Sequence, residues 1–166
     1  MYLNVTNVKR LDEGIERGVA NVTWVLARAE ALAARLEVDA TFTGWVDDAG
    51  RADLFRAASV LAVPSVWPEP FGLVGLEAGV FGVPAVAFDV GGIGDWLTPG
   101  FNGWLVPGAA PSAAQLGDAL AHAARNPDLL ARMRVNARAM AERMSLARHV
   151  AALEQVLAAA APAMAG

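Results

Sequence analysis

Val63-Pro64-Ser65-Val66-Trp67-Pro68-Glu69-Pro70-Phe71-Gly72-Leu73-Val74-Gly75-Leu76-Glu77-Ala78 is the stretch whose reading decides the fold. An apolar run from Ser59 ends at Val63, three prolines stiffen the next eight positions, and Gly72 opens an apolar helix that Gly82 closes. A buried strand, a loop and a helix in that order make half of a βαβ unit. In parallel sheets of this kind, ligands bind outside the carboxyl ends of the strands, so this loop is the expected ligand position.

The same alternation extends in both directions. Leu11, Ile15 and Val19 recur every four residues and predict a helix from Arg10 to Val19. A strand is expected at Asn21 to Ala27, a helix at Arg28 to Leu36, and a short strand at Thr41 to Thr43. Asp47 or Asp48 caps a helix through Phe55. Downstream, Pro84 leads a strand from Ala85 to Phe88, a glycine loop covers Gly91 to Gly94, and a further strand spans Gly103 to Val106. Pro111 and Ser112 start an Ala-rich helix, Asn126-Pro127 breaks it, a second helix runs towards Met144, and a last one covers Leu146 to Ala160. The pattern predicts an α/β, Rossmann-like three-layer sandwich with a parallel sheet of about six strands. One domain over 1–166 is expected, with a helical tail over 111–160.

Composition supports a sheet covered on both faces, or a further face that docks on something. Hydrophobic residues are 55% of the 166 and charged residues 18%, below the roughly 25% usual for globular domains. Such a chain is too apolar for disorder. The net charge is −4 and Lys9 is the only lysine, so a basic nucleic-acid groove is not expected. Without cysteine there are no disulfides or thiolate metal sites, which agrees with a cytoplasmic setting. Phe71 to Leu97 is poor in charge, but its glycines and Pro84 make it a buried helix, turn and strand rather than an integral membrane segment.

The loop offers specific chemistry. Gly72 lets a ligand approach the backbone, and the amides of Phe71, Gly72 and Leu73 at the helix start favour an anion or a polar oxygen. Glu69 stands just before the helix. Glu77 stands about five residues inside it, about 8 Å along the axis at 1.5 Å per residue. That separation suits two polar ends of one extended ligand better than an acid/base pair across one bond. Glu77 also lies among Val74, Leu76, Ala78 and Val80, where an unpartnered carboxylate is costly. Ribose hydroxyls would satisfy it.

Glu69-Pro70-Phe71-Gly72-Leu73 with Glu77 eight positions on resembles the E-x7-E motif of glycosyltransferase family 4, the group 1 glycosyl transferases. Further blocks match in order: Phe42-Thr43-Gly44-Trp45-Val46, Ala57 to Ser65, Gly82 to Ala87, Gly91-Gly92-Ile93-Gly94-Asp95 and Gly103 to Pro107. The likeness is strong over 40–107. An ordered series is far more specific than a lone glycine motif. It departs from the family in the glycine loop, where Asp95 stands for the usual Glu and Gly94 for a common Pro, and again in its basic segment. The basic segment that usually neutralises the diphosphate is matched only by Arg10-Leu11-Asp12-Glu13-Gly14-Ile15, with no lysine after it. No Lys or Arg lies between Arg56 and Arg125, so the diphosphate charge would need Arg10, Lys9 or another chain.

The resemblance implies one half of a GT-B fold, the domain that holds the donor in a retaining transfer from a nucleotide diphosphate sugar. By position, Glu77 would bond the ribose hydroxyls and Glu69, the catalytic candidate, would face the donor sugar. The amides of Phe71, Gly72 and Leu73 would touch sugar or diphosphate, Gly44 and Trp45 would border the base, and Gly92 would line the site. No metal or cofactor is implied beyond the nucleotide sugar as substrate. Catalysis in this family needs an N-terminal domain for the acceptor, so the 166 residues are expected to be an excised or truncated half that transfers nothing alone. An apolar strip at Trp67, Phe71 and Trp96 is expected to drive homodimerisation. Trp45, Trp67, Trp96 and Trp104 read as packing residues or as part of the face towards the missing domain, and His122 and His149 as structural. Arg132, Arg134, Arg138, Arg143 and Arg148 read as a solvated face. Two rivals are a non-catalytic interaction module with a relic donor site and a GT-B-like sugar-nucleotide epimerase.

Overall fold

A computed structural model describes residues 2–3 and 27–160. The chain divides into two compact units, Met1–Ala58 and Ser59–Gly166. The helix expected from Arg10 to Val19, the strand expected from Asn21 as far as Leu26, and the Lys9-Arg10 pair lie outside the described residues.

In the first unit, β1 (Tyr2–Leu3) pairs in parallel with β2 (Thr41–Phe42), with Tyr2 opposite Thr41. Helix α1 covers 27–35, so Ala27 is helical where a strand end was expected. It closes with Val38 N–H on Ala33 O at 3.0 Å and Glu37 N–H on Ala34 O at 3.2 Å, the crossed pair of a Schellman ending. Glu37 takes the left-handed position, at φ 52°, that glycine usually fills. Helix α2 (Asp48–Ala57) is capped by Asp47, whose carboxylate accepts the Gly50 amide at 2.8 Å.

The second unit carries β3 (Leu61–Val63), α3 (Leu73–Val80), β4 (Ala85–Phe88), a 3-10 turn (Gly91–Asp95), β5 (Gly103–Val106), α4 (Ala113–Arg125), α5 (Pro127–Arg143) and α6 (Leu146–Ala160). Its sheet runs β3-β4-β5, all parallel, with Val63 opposite Ala87 and Ala87 opposite Leu105. Every residue of β4 is buried, as a central strand covered on both faces requires. Its side chains alternate between two cores. Ala85 and Ala87 meet Leu76 of α3, Ile93, Trp96 and Leu97 of the turn region, and Met140 of α5. Val86 and Phe88 meet Val106, Leu116 of α4 and the flanking Trp104. These are the three layers that the composition implies.

Strand number departs from expectation. Among the described residues there are three strands in one sheet and two in another, rather than one sheet of about six. The expected strand at 21–26 is not described, and Ser59 and Val60 stay outside β3. Helix α6 buries none of its residues, so Leu146, Val150, Leu153 and Leu157 face outward.

Candidate functional site

The carboxyl ends of β3 and β4 set the site. From β3 the chain enters the loop 64–72, and from β4 it enters the glycine turn; the two are packed backbone to backbone. The Gly92 amide donates to Glu69 O at 2.8 Å. A Cβ on Gly91 would lie 2.0 Å from Glu69 O, and one on Gly92 would lie 2.3 Å from Pro70 O. Only glycines allow so close an approach.

Glu69 is half-buried at the top of this loop, and the Ser65 hydroxyl donates to its Oε2 at 3.5 Å. Gly72 then caps α3 in the left-handed region, φ 76° and ψ 52°, with no side-chain cap. Among the described residues, no acceptor takes the amides of Phe71, Gly72 or Leu73. The helix therefore begins with a short row of unpaired donors next to the half-buried Glu69, with Phe71 half-buried, Gly72 buried and Leu73 exposed. Glu77, on the second turn of α3, is also half-buried, between the buried Leu76 and Ala78.

The turn that follows β4 does more than close the loop. Trp96 is 1% exposed, its indole N–H donates to Phe71 O at 2.6 Å, and its ring fills the space beside Gly75. Trp96 is thus a packing residue and does not belong to an exposed apolar strip. Phe71 is half-buried against the same core, so Trp67 alone of the expected strip is exposed, with Val66 and Leu73 also more than half exposed. Asn102, the one buried polar side chain among the described residues, ties the turn down. Its side chain accepts the Thr98 amide at 2.7 Å and donates to Trp96 O at 2.8 Å. Asn102→Ala leaves both backbone groups unsatisfied, and urea unfolding should show a loss of about 2–3 kcal/mol. A change under about 0.5 kcal/mol would mean that water replaces the side chain at little cost.

Other expectations fall out differently. Trp45 is 75% exposed and Trp67 54% exposed, so neither packs in a core. Gly44 and Trp45 lie in the first unit; Gly44 has φ 62° and open space at its Cβ position. The Gly92 amide is already used by Glu69 O, which makes Gly92 a holder of the loop. Trp104 packs on the α4 side and meets His122 edge to face at 6.2 Å, and the carbonyl of His122 accepts Asn126 Nδ2 at 2.7 Å. Arg132, Arg138, Arg143 and Arg148 are exposed and Arg134 is half-buried. Asp95 is exposed and ends the 3-10 turn without capping a helix. No group of three or more His, Cys, Asp or Glu side chains that could hold a metal occurs among the described residues, and none of their helices is long and apolar enough to cross a membrane.

The roles of Ser65 and Asn102 and the indole bond of Trp96 come from the structure alone. Asn102 precedes Gly103 after Thr98-Pro99-Gly100, a turn composition that could have marked it. Nothing local signals that Trp96 reaches Phe71, 25 residues away.

A parallel α/β sandwich with an amide-lined loop and two acidic side chains beside its carboxyl edge is the architecture of a Rossmann-like, GT-B-type half, a class in which ligands bind outside the strand ends. The family model of the glycosyl transferases group 1 matches residues 26–140, and the chain belongs to that family. It is 48% identical over 103 residues to a D-inositol 3-phosphate glycosyltransferase of Kribbella flavida, covering 61% of this chain and 23% of the relative. It is 44% identical over 85 residues to a phosphatidyl-myo-inositol mannosyltransferase of Mycobacterium leprae, covering 51% and 22%. The matched stretches thus span less than a quarter of the length of these relatives. Among solved structures, it superposes on the Anabaena protein HepE in complex with UDP with a TM-score of 0.70 and 26% identity, over 81% of this chain and 36% of that one. Sucrose-phosphate synthase of Thermosynechococcus elongatus gives a TM-score of 0.68 and 29% identity, over 96% and 39%.

Proposed function

We propose that the chain binds a nucleotide diphosphate sugar as the donor half of a retaining glycosyl transfer. The observation that carries this is the row of amides at Phe71, Gly72 and Leu73, without acceptors among the described residues and flanked by Glu69 and Glu77. The amides and the α3 dipole would hold diphosphate and sugar oxygens. Glu77 would accept from the ribose hydroxyls, and Glu69, steadied by Ser65, would face the donor sugar. Negative charge grows on the departing diphosphate during transfer, and donors already aimed at it lower that barrier. The acceptor would attack on the leaving-group face, supplied by a second domain, so no general base is assigned to this chain.

The HepE structures with UDP and with UDP-glucose support the ligand class. Calorimetry of the full chain with UDP, GDP and ADP tests it. Saturable heat with one of the three is expected. Absence of heat with all of them would reduce the loop to a relic.

A further inference from the structure

Gly72 has no side chain with which to cap α3, and at φ 76° it occupies a region that glycine enters and leaves freely. The direction of its amide must therefore be set from outside. We propose that Trp96 is the positioning residue that sets it, through Phe71 O. The Phe71 carbonyl and the Gly72 N–H share one planar trans peptide, so they point in opposite directions. The indole N–H holds the carbonyl inward at 2.6 Å. That bond turns the Gly72 N–H outward, to the side where the donor would lie.

The indole is itself fixed on three sides. A Cβ on Gly75 would fall 1.9 Å from its Cη2, so the ring fills the place of a side chain at position 75. A Cβ on Gly72 would lie 3.7 Å from Cζ2. Behind the ring, the Trp96 carbonyl accepts from the buried Asn102. The absence of a side chain at Gly75 and the size of Trp96 complement each other. Together they connect the glycine turn after β4 to the helix that follows β3.

This assignment rests on the donor-binding reading, and the test separates the two. Calorimetry with whichever of UDP, GDP or ADP the wild-type chain binds, paired with melting temperatures, would compare three variants. Trp96→Phe keeps a ring against Gly75 and loses the N–H. Trp96→Leu opens a hole, and Trp96→Leu with Gly75→Ala refills part of it. We expect Trp96→Phe to bind about fivefold more weakly, the loss of one ordinary hydrogen bond, with a fall in melting temperature of a few degrees that is smaller than that of Trp96→Leu. The double variant should regain stability over Trp96→Leu while binding stays weak. Recovery of binding together with stability, or full affinity in Trp96→Phe, would make Trp96 a mere filler and overturn the proposal. No heat from the wild-type chain would instead overturn the donor reading beneath it.

Discussion

Gly91→Ala should lower the melting temperature of the full chain by about 10 °C. Two effects add. Position 91 has φ 57°, where a Cβ costs about 1–2 kcal/mol. That Cβ would also lie 2.0 Å from Glu69 O and 2.7 Å from Glu69 N, both backbone atoms with no rotamer to escape into. Overpacking of this kind costs about 1–3 kcal/mol, and a total near 3 kcal/mol at about 3 °C per kcal/mol gives the shift. The damage should be local as well as global, because the displaced segment includes the Gly92–Glu69 hydrogen bond. Gly94→Ala is the control, since its Cβ would meet only Asp89 Oδ1, at an ordinary 3.4 Å. Circular dichroism melts in which the two variants match within about 2 °C would refute the backbone-clamp account.

Glu77→Ala should weaken binding of the nucleoside diphosphate roughly 100-fold, the effect of losing two hydrogen bonds to a charged acceptor. The stronger check is a cycle with the 2′-deoxynucleotide. In the wild-type chain the deoxy ligand should bind distinctly more weakly than the ribonucleotide. In Glu77→Ala the two should bind alike, because the group that distinguishes them is gone. An undiminished preference for ribose in the variant would remove Glu77 from the pentose and reassign it to the scaffold of α3.

Much of this architecture was legible in the residues because it is written in short-range chemistry. Val63-Pro64, Gly82-Val83-Pro84 and Asn126-Pro127 mark the ends of β3, α3 and α4, where proline and glycine leave the backbone few choices. Gly103 to Val106 is a strand with the bounds expected, and Asp47 caps α2 as its position before the helix implies. The strand count was less accessible, since pairing joins residues far apart and an apolar run does not reveal its neighbours. Ala27 shows the same limit from the other side: read as the end of a β-branched run, it is the first described residue of a helix rich in alanine and leucine.

The site divides along the same line. Glu69, Gly72 and Glu77 belong to one continuous segment, so their order and spacing show in the sequence. What holds them in place comes from the next segment: Gly92 on Glu69 O, Trp96 on Phe71 O, and Asn102 under Trp96. The glycines of that turn resemble ligand contacts when read alone. Gly91 and Gly92 are packed against the loop and let two backbones meet there, whereas Gly94 is not. The exposure of Trp45 and Trp67 likewise could not be read from composition, because a large aromatic side chain suits a core and a docking surface equally.

The central claim is that the donor lies on the start of α3, held by backbone amides between two carboxylates. The most direct measurement is a nitrogen–proton correlation titration of the isotope-labelled full chain with the nucleoside diphosphate it binds. The largest saturable amide shifts should fall on Phe71, Gly72 and Leu73, with Glu77 moving at the same concentration. Shifts gathered on α4 to α6, with the stretch from Glu69 to Glu77 unmoved, would contradict it.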